Sequence, residues 1–358
     1  MEKFFAPGRT ELAGNHTDHQ KGRVLAAAVD LGLTAECSPN YDRKIRIHSD
    51  GFPDFEVNLY NLDVQPVDFG TSKALVRGVA AAFYDLCVNI GGFDATITST
   101  LSAGSGLSSS AAFAVLIGKI LNEYYNDGKL EPIVIARAAQ QAENLHFGKP
   151  CGLMDQLTCA LGECVYMDFY TGEIIPVRAD FSAMGLTLCL VDTGGSHAGL
   201  DTSYARIPAD MRYIAGLFDK GFLAEVDPDD FRRREWDLAD RPVRRAAHFF
   251  DENDRVRQMR NALIERNGPK YMYLMNKSGR SSEKYLNNIV TSATGDTKLQ
   301  EGLDLSREIL EDVGAWRVHG GGFAGCVQAL MPSGMFPRYK LKMEEKFGAG
   351  RCREIKIG

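Results

Sequence analysis

The segment AGSGLSSSAAF, residues 103–113, runs from small and hydroxyl residues straight into an apolar stretch. A linker would stay polar on both sides, so that reading is weak. Two others remain open on local physics. One is an ordinary helix start with Ser108 or Ser109 as its N-cap. The other is a cradle for phosphate. Gly104 and Gly106 let the backbone approach a ligand closely, and the first helical turn offers N–H groups and a positive dipole end. Ser108, Ser109 and Ser110 add hydroxyls suited to phosphate oxygens or a magnesium ion. The run contains no G-x-x-x-x-G-K-[ST], so it is not a Walker A loop.

Two further stretches concentrate polar chemistry. GRTELAGNHTDHQKG, residues 8–22, packs Arg9, Glu11, Asn15, His16, Asp18 and His19 into one short segment. A solvated loop is the ordinary explanation of such a run. Its mixture of donors and acceptors amid apolar neighbours instead suits a sugar or another polyol. The His-x-x-His pair lacks a third ligand and points only weakly to metal. ENLHFGKPCGLMDQ, residues 143–156, puts Glu143 late in a helix and Asp155 just past a turn, in partly apolar company. Asp155 is either hydrogen-bonded structurally or kept for chemistry, and the residues alone leave both open.

A last glycine run, VHGGGFAGCVQAL at 318–330, matches G-x-G-x-x-G at Gly320, Gly322 and Gly325. The dinucleotide fingerprint opens a helix, whereas a strand is expected here, so a nicotinamide-dependent dehydrogenase is a poor fit. A tight turn packed against a close neighbour, such as the 103–113 loop, fits better.

These residues must be positioned by a mixed set of elements. Alternation predicts strands over 94–100 and 163–169, and a buried strand over 186–193. Helical spacing covers 111–125 and 133–147. Residues 203–265 are charged and helical, and another helix covers 304–314. Strands at 316–319 and 326–331 flank the glycine run, and REIKIG closes the chain. Helices and strands do not alternate regularly, which favours α+β over a doubly wound sheet. A boundary is expected near 192–200.

The chain has 358 residues, enough for about two domains. Its net charge of −6 gives no general attraction for nucleic acid or anionic membrane. No stretch has the length of apolar sequence that a membrane span needs. MEKFFAPGR lacks the apolar core and cleavage site of a secretion signal. The eight cysteines are scattered without a C-x-x-C pair, as expected of reduced thiols in a cytoplasmic protein.

Taken together, the motifs resemble those of the GHMP small-molecule kinases, and within them the galactokinase branch. APGRTELAGNHTDHQKG looks like that branch's signature, SAGSGLSSSAA like the family's phosphate loop, and HGGGFAGC like its C-terminal glycine motif. They stand in the family's order. Weaker likeness extends through ENLHFGKPCGLMDQ, GGSHAGLDTSYARIP and RRAAHFFDENDRVRQMRNAL, so nearly the whole chain is covered.

The resemblance implies an α+β, two-domain GHMP kinase fold. Residues 1–192 would form an N-terminal domain like ribosomal protein S5 domain 2. Residues 193–358 would form a ferredoxin-like C-terminal domain, with the active site in the cleft between them. It implies ATP and Mg2+ as cofactors and transfer of phosphate to a sugar's anomeric hydroxyl. A monomer acting on a small-molecule sugar, with no nucleic-acid or membrane partner, is expected. By position, Asp155 and Arg9 match the catalytic pair. Asn15, His16, Asp18, Gly152 and Tyr204 match sugar-contacting positions. Gly104, Ser105, Gly106, Leu107, Ser108, Ser109 and Ser110 match the ATP loop, and Ser109, Ser110 and Glu143 the magnesium ligands. An adenine pocket is expected within residues 50–90.

The match is not complete. The branch's signature reads G-R-V-N-L-I-G-E-H-T-D-Y, whereas Glu11 stands here for its Asn and Asn15 for its Glu. Either the exchange keeps a local hydrogen-bonded pair, or it alters the pocket and with it the sugar. His19 replaces a Tyr, and Ala324 a Gly. A related possibility is a sensor that binds sugar and ATP without turnover. Such proteins lose loop residues or catalytic groups, which this chain keeps.

Overall fold

The computed structural model describes residues 1–101, 106–195, 200–234, 236–237, 239–290 and 295–357. Two long strands begin it, β1 (Glu2–Ala13) and β2 (Arg23–Pro39), paired antiparallel. β1 runs along one edge of β2. β5 (Phe93–Ser99) and β6 (Cys164–Asp168) share the other edge. β3 (Lys44–Ser49) and β4 (Phe52–Asn58) extend the sheet beyond β5, and β7 (Glu173–Pro176) extends it beyond β6. β3 and β5 run parallel, and the other pairs are antiparallel. Val24–Val29 is buried without alternation, as expected of a strand covered on both faces.

Helices α1 (Ser72–Asp85), α2 (Ser109–Asn126), α3 (Pro132–Gln141) and α4 (Met154–Leu161) pack on one another, with α2 and α4 against β1 and β2. A second sheet has the order β11 (Cys352–Glu354), β8 (Leu186–Asp192), β10 (Cys326–Pro332), β9 (Ala315–His319). The intervening chain forms α5 (Asp201–Gly216), α6 (Pro228–Arg233), α7 (Arg241–Ile264), α8 (Gly268–Ser281) and α9 (Lys298–Leu310), and α10 (Phe336–Phe347) precedes β11. The α+β architecture is as expected, and the chain changes sheet between Pro176 and Leu186. α7 contacts both β1 and β2, while α8 packs on β9. One core therefore joins Leu12, Leu25 and Ala112 to Val256, Met259, Tyr271 and Ala315.

Two elements differ from the sequence expectation. The helix expected over 133–147 is α-helical only to Gln141 and continues as a wide π turn over Ala142–Phe147, ended by Gly148 at φ +79°. Such a turn adds a residue and re-aims side chains, here Glu143, which hydropathy cannot report. The helix expected over 304–314 begins earlier, at Lys298, and stops at Leu310.

Candidate active site

β1 does not run straight past β2. Its register shifts between Pro7 and Arg9, and again between Glu11 and Ala13. Bulges of this kind re-aim side chains beside functional sites. The first one turns the Arg9 N–H to Leu107 O, at 3.1 Å. Gly8 permits the approach, because a Cβ there would lie 2.8 Å from Leu107 O.

The Arg9 side chain then forms a fork on Asp155, with Nε to Oδ1 at 2.6 Å and Nη2 to Oδ2 at 2.8 Å. Its third nitrogen, Nη1, donates to Gly106 O at 2.7 Å. Ser108 Oγ donates to Asp155 Oδ2 at 2.6 Å. Burial pushes the Asp155 carboxyl up, but the Arg9 charge and its bonds, with Ser108, outweigh that and hold it below the usual carboxylate range. Burial likewise works against the Arg9 charge, and Asp155 more than offsets it. Asp155 also sits in the first turn of α4, where the helix dipole favours a negative charge.

Ser108 occupies the N-cap position of α2, but no side chain caps that helix. Its backbone is left-handed, at φ +56°, which is uncommon for a residue with a Cβ. The expected Ser108 cap is therefore absent, because its hydroxyl goes to Asp155. The first-turn N–H groups of α2 carry no side-chain cap, as an anion cradle requires. Gly106 and Leu107 line this head of the helix, with Gly106 and Ser109 exposed. Gly104 and Ser105, expected to join them, lie outside the described residues.

The sugar-signature segment lies alongside. Asp18 Oδ1 accepts the His19 N–H at 2.8 Å. Gly152 backs its other oxygen so closely that a Cβ there would collide with Asp18 Oδ2. Burial, then the Asp155 charge, push the Asp18 carboxyl up to about 6. His16 has φ +59°, and its Nε2 donates to Gly321 O at 2.9 Å. That leaves His16 Nδ1 to accept from His19 Nε2 at 3.1 Å. Burial lowers His16 to about 4 and puts His19 well below its usual range, so both rings are neutral near pH 7. Tyr204 lies with its ring 6.0 Å from that of His16 and 5.6 Å from that of Phe323. A Cβ at Gly321 would strike the Tyr204 ring, so this glycine makes the packing possible. The glycine run is thus the close-packed turn the sequence suggested, and β10, a strand, follows it.

Glu143, 1% exposed, accepts from Ser110 Oγ on one oxygen and from Gln156 Nε2 on the other. Lys149 Nζ stands 3.8 Å away. Ser110 and Glu143 therefore meet as expected. Ser109 is exposed at the head of α2 and makes no bond to Glu143. The hydroxyl–carboxylate pair is a hard-oxygen donor set of the kind magnesium takes. No group of three or more His, Cys, Asp or Glu side chains is placed to hold a metal among the described residues.

Sequence reasoning missed the wall behind these groups. The Asn15 amide donates to Gly320 O and, at 3.5 Å, to Glu11 Oε1. Its oxygen accepts from Ser282 Oγ at 3.0 Å and Asn288 Nδ2 at 3.1 Å. The exchanged residues Glu11 and Asn15 are thus a hydrogen-bonded pair, and Asn15 is fully engaged with protein. Arg317 Nη2 reaches Glu11 Oε1 at 2.8 Å, both side chains almost wholly buried. On α7, His248 Nε2 donates to Asn15 O at 2.9 Å, and Glu252 accepts the Gly14 N–H at 3.1 Å. Burial would raise the Glu252 carboxyl, but Arg255, His248, Arg317 and the Ser278 hydroxyl bring it down to about 2. The signal was Arg245, His248, Glu252 and Arg255 at helical spacing among the apolar residues of α7.

Residues 3–39 match the family "Galactokinase galactose-binding signature", and residues 74–163 match "GHMP kinases N terminal domain". A galactokinase of Clostridium tetani (strain Massachusetts / E88) is 29% identical over 355 residues, 97% of this chain and 88% of that protein. The structure of Lactococcus lactis galactokinase complexed with galactose superposes with a TM-score of 0.86 at 23% identity, covering 100% of this chain and 93% of that one. Methanococcus jannaschii mevalonate kinase gives 0.69 at 19%, covering 100% and 98%. The chain therefore has the GHMP kinase fold and carries both the GHMP kinase N-terminal domain and the galactokinase galactose-binding signature.

Proposed function

We propose that the chain is an ATP-dependent galactokinase, converting galactose and ATP to galactose 1-phosphate and ADP, with its site between the N-terminal and C-terminal halves. The observation that carries this is the Asp155 carboxylate, held ionised between Arg9 and Ser108 beside the uncapped head of α2. Asp155 orients the anomeric hydroxyl toward the γ-phosphorus. A carboxylate this acidic is a weak base toward a free alcohol. It takes the proton only as the new O–P bond forms and the bond from the γ-phosphorus to its bridging oxygen breaks. Arg9 stabilises charge gathering on the transferring group.

Gly106, Leu107 and the uncapped first turn of α2 would bind the triphosphate through backbone N–H groups, with the exposed Ser109 hydroxyl beside them. Ser110, Ser109 and Glu143 would hold Mg2+, which neutralises phosphate charge when bound. Asp18 accepts from neighbouring sugar hydroxyls, with Gly152 leaving it room. His16, Tyr204 and Asn15 shape the wall of the same pocket. An epimer would leave such groups unpaired, which is how the site selects its sugar.

The test is ADP release from Mg-ATP with galactose, galacturonate and N-acetylgalactosamine. Fastest release with galactose is expected. Equal or faster release with another sugar would reassign the substrate within the kinase class, and sugar binding without ADP release would make the chain a sensor.

A further inference from the structure

His319 ends β9, immediately before the glycine run, and the mechanism above makes no use of it. It is only 4% exposed. One side of the ring faces β1, where Nε2 lies 3.0 Å from Thr10 Oγ1 and accepts the Glu11 N–H at 3.3 Å. Gln328 Nε2 donates to Thr10 Oγ1 at 2.8 Å, leaving the Thr10 hydroxyl proton free to point at His319. Both neighbours of Nε2 are donors, so the ring proton sits on Nδ1.

Nδ1 meets no hydrogen-bond partner among the described residues. It faces the phosphate loop, and a Cβ added at Gly106 would lie 2.9 Å from it. Burial, then the charges of Arg9 and Arg317, keep the imidazole neutral. A buried N–H without an acceptor bears a desolvation penalty that an incoming acceptor removes.

We propose that His319 donates its Nδ1–H to a phosphate oxygen of the nucleotide bound at this loop. The inference rests on the kinase reading and adds a nucleotide contact from the C-terminal glycine segment. The two bonds at Nε2 fix both ring orientation and tautomer, so the donor is set before the ligand arrives. A neutral N–H on an anionic oxygen is a charge-assisted bond that adds no further positive charge beside Arg9.

Two amide substitutions separate the ends of the ring. In His319→Gln the side-chain oxygen can take the Nε2 position and keep accepting from β1, but the donor toward the loop is gone. In His319→Asn the amide nitrogen can stand in for Nδ1 while the β1 contacts are lost. Binding of the non-hydrolysable β,γ-imido analogue of ATP, with Mg2+, is measured by calorimetry on the full chain. His319→Gln is expected to weaken it about tenfold or more, as for loss of a hydrogen bond to a charged group, and His319→Asn to recover most of that. In the wild-type chain, the His319 Nδ1–H resonance is expected to move downfield on saturation with the analogue. That measurement needs no variant to fold. Wild-type affinity in His319→Gln, Asn binding no better than Gln, or an unmoved resonance on saturation overturns the proposal. A wild-type chain that binds no nucleotide overturns the kinase reading itself, before any substitution is made.

Discussion

Ser108 donates its hydroxyl to Asp155 Oδ2 at 2.6 Å from a left-handed backbone, so the residue that heads α2 serves the carboxylate and leaves its own helix uncapped. Two substitutions separate the hydroxyl from the backbone. Ser108→Ala and Ser108→Gly both lose the bond, and each is expected to lower kcat about tenfold. Glycine also relieves the left-handed strain, about 1 kcal/mol, so the Gly variant should melt above the Ala variant. Equal melting temperatures would remove strain from the account.

Asp155→Asn keeps the shape of the carboxylate and removes its charge. Turnover is expected to fall roughly a thousandfold. Galactose affinity by calorimetry should stay within a few-fold, since the Asp18 side chain keeps its contacts with His19 and Gly152. Near-normal ADP release in this variant would sink the assignment of Asp155.

Asp18 supplies a pH signature. Its carboxyl lies near 6 in the folded chain, raised by burial and then by Asp155, against a reference value of 3.8. Between those values the folded state holds the proton and the unfolded state does not. Stability therefore falls as pH rises from 3.8 to about 6, and the carboxylate costs roughly 3 kcal/mol above that window. Asp18→Asn should consequently be the more stable protein at pH 8, with the advantage gone near pH 4. Wild-type kcat/KM for galactose should decline below about pH 6, as the acceptor becomes protonated. A flat profile from pH 5 to 8, with Asp18→Asn no more stable at pH 8, would exclude this role.

Glu11 and Arg317 form a buried ion pair between β1 and β9. Glu11→Gln leaves the guanidinium buried without its counter-charge, expected to cost about 3–5 kcal/mol in denaturant unfolding. Replacing Arg317 with Met in the same chain should recover much of that loss. Simple addition of the two single losses would mean the pair is not coupled.

The motifs made much of this site legible. Arg9, Asp155, Asp18 and Gly152 come from short runs whose residue types already specify donors, acceptors and a missing Cβ, and the fold brings them together. Other parts rest on contacts that no local pattern carries. Glu11 and Arg317 are 306 positions apart, and nothing near either names the other. Ser108 was legible as a cap because serine favours that position, whereas the competing bond to Asp155 is tertiary. His319 was hidden by the glycines beside it, since its meaning depends on what Nε2 touches. The π turn at Glu143 follows a hydropathy pattern indistinguishable from an ordinary helix.

The helix that walls the sugar segment carries a consequence for how the protein is made. Gly14 and Asn15 leave the ribosome early, yet their backbone partners are Glu252 and His248 on α7. Glu11 waits longer still, for Arg317 and Gln328. During synthesis the first sheet can pair long before its most polar segment finds partners. A chain truncated before α7 would lack both Glu252 and His248, and also the Val256 and Met259 side chains that complete the core over β1 and β2. Such a fragment would be a substrate for proteases rather than a weak enzyme.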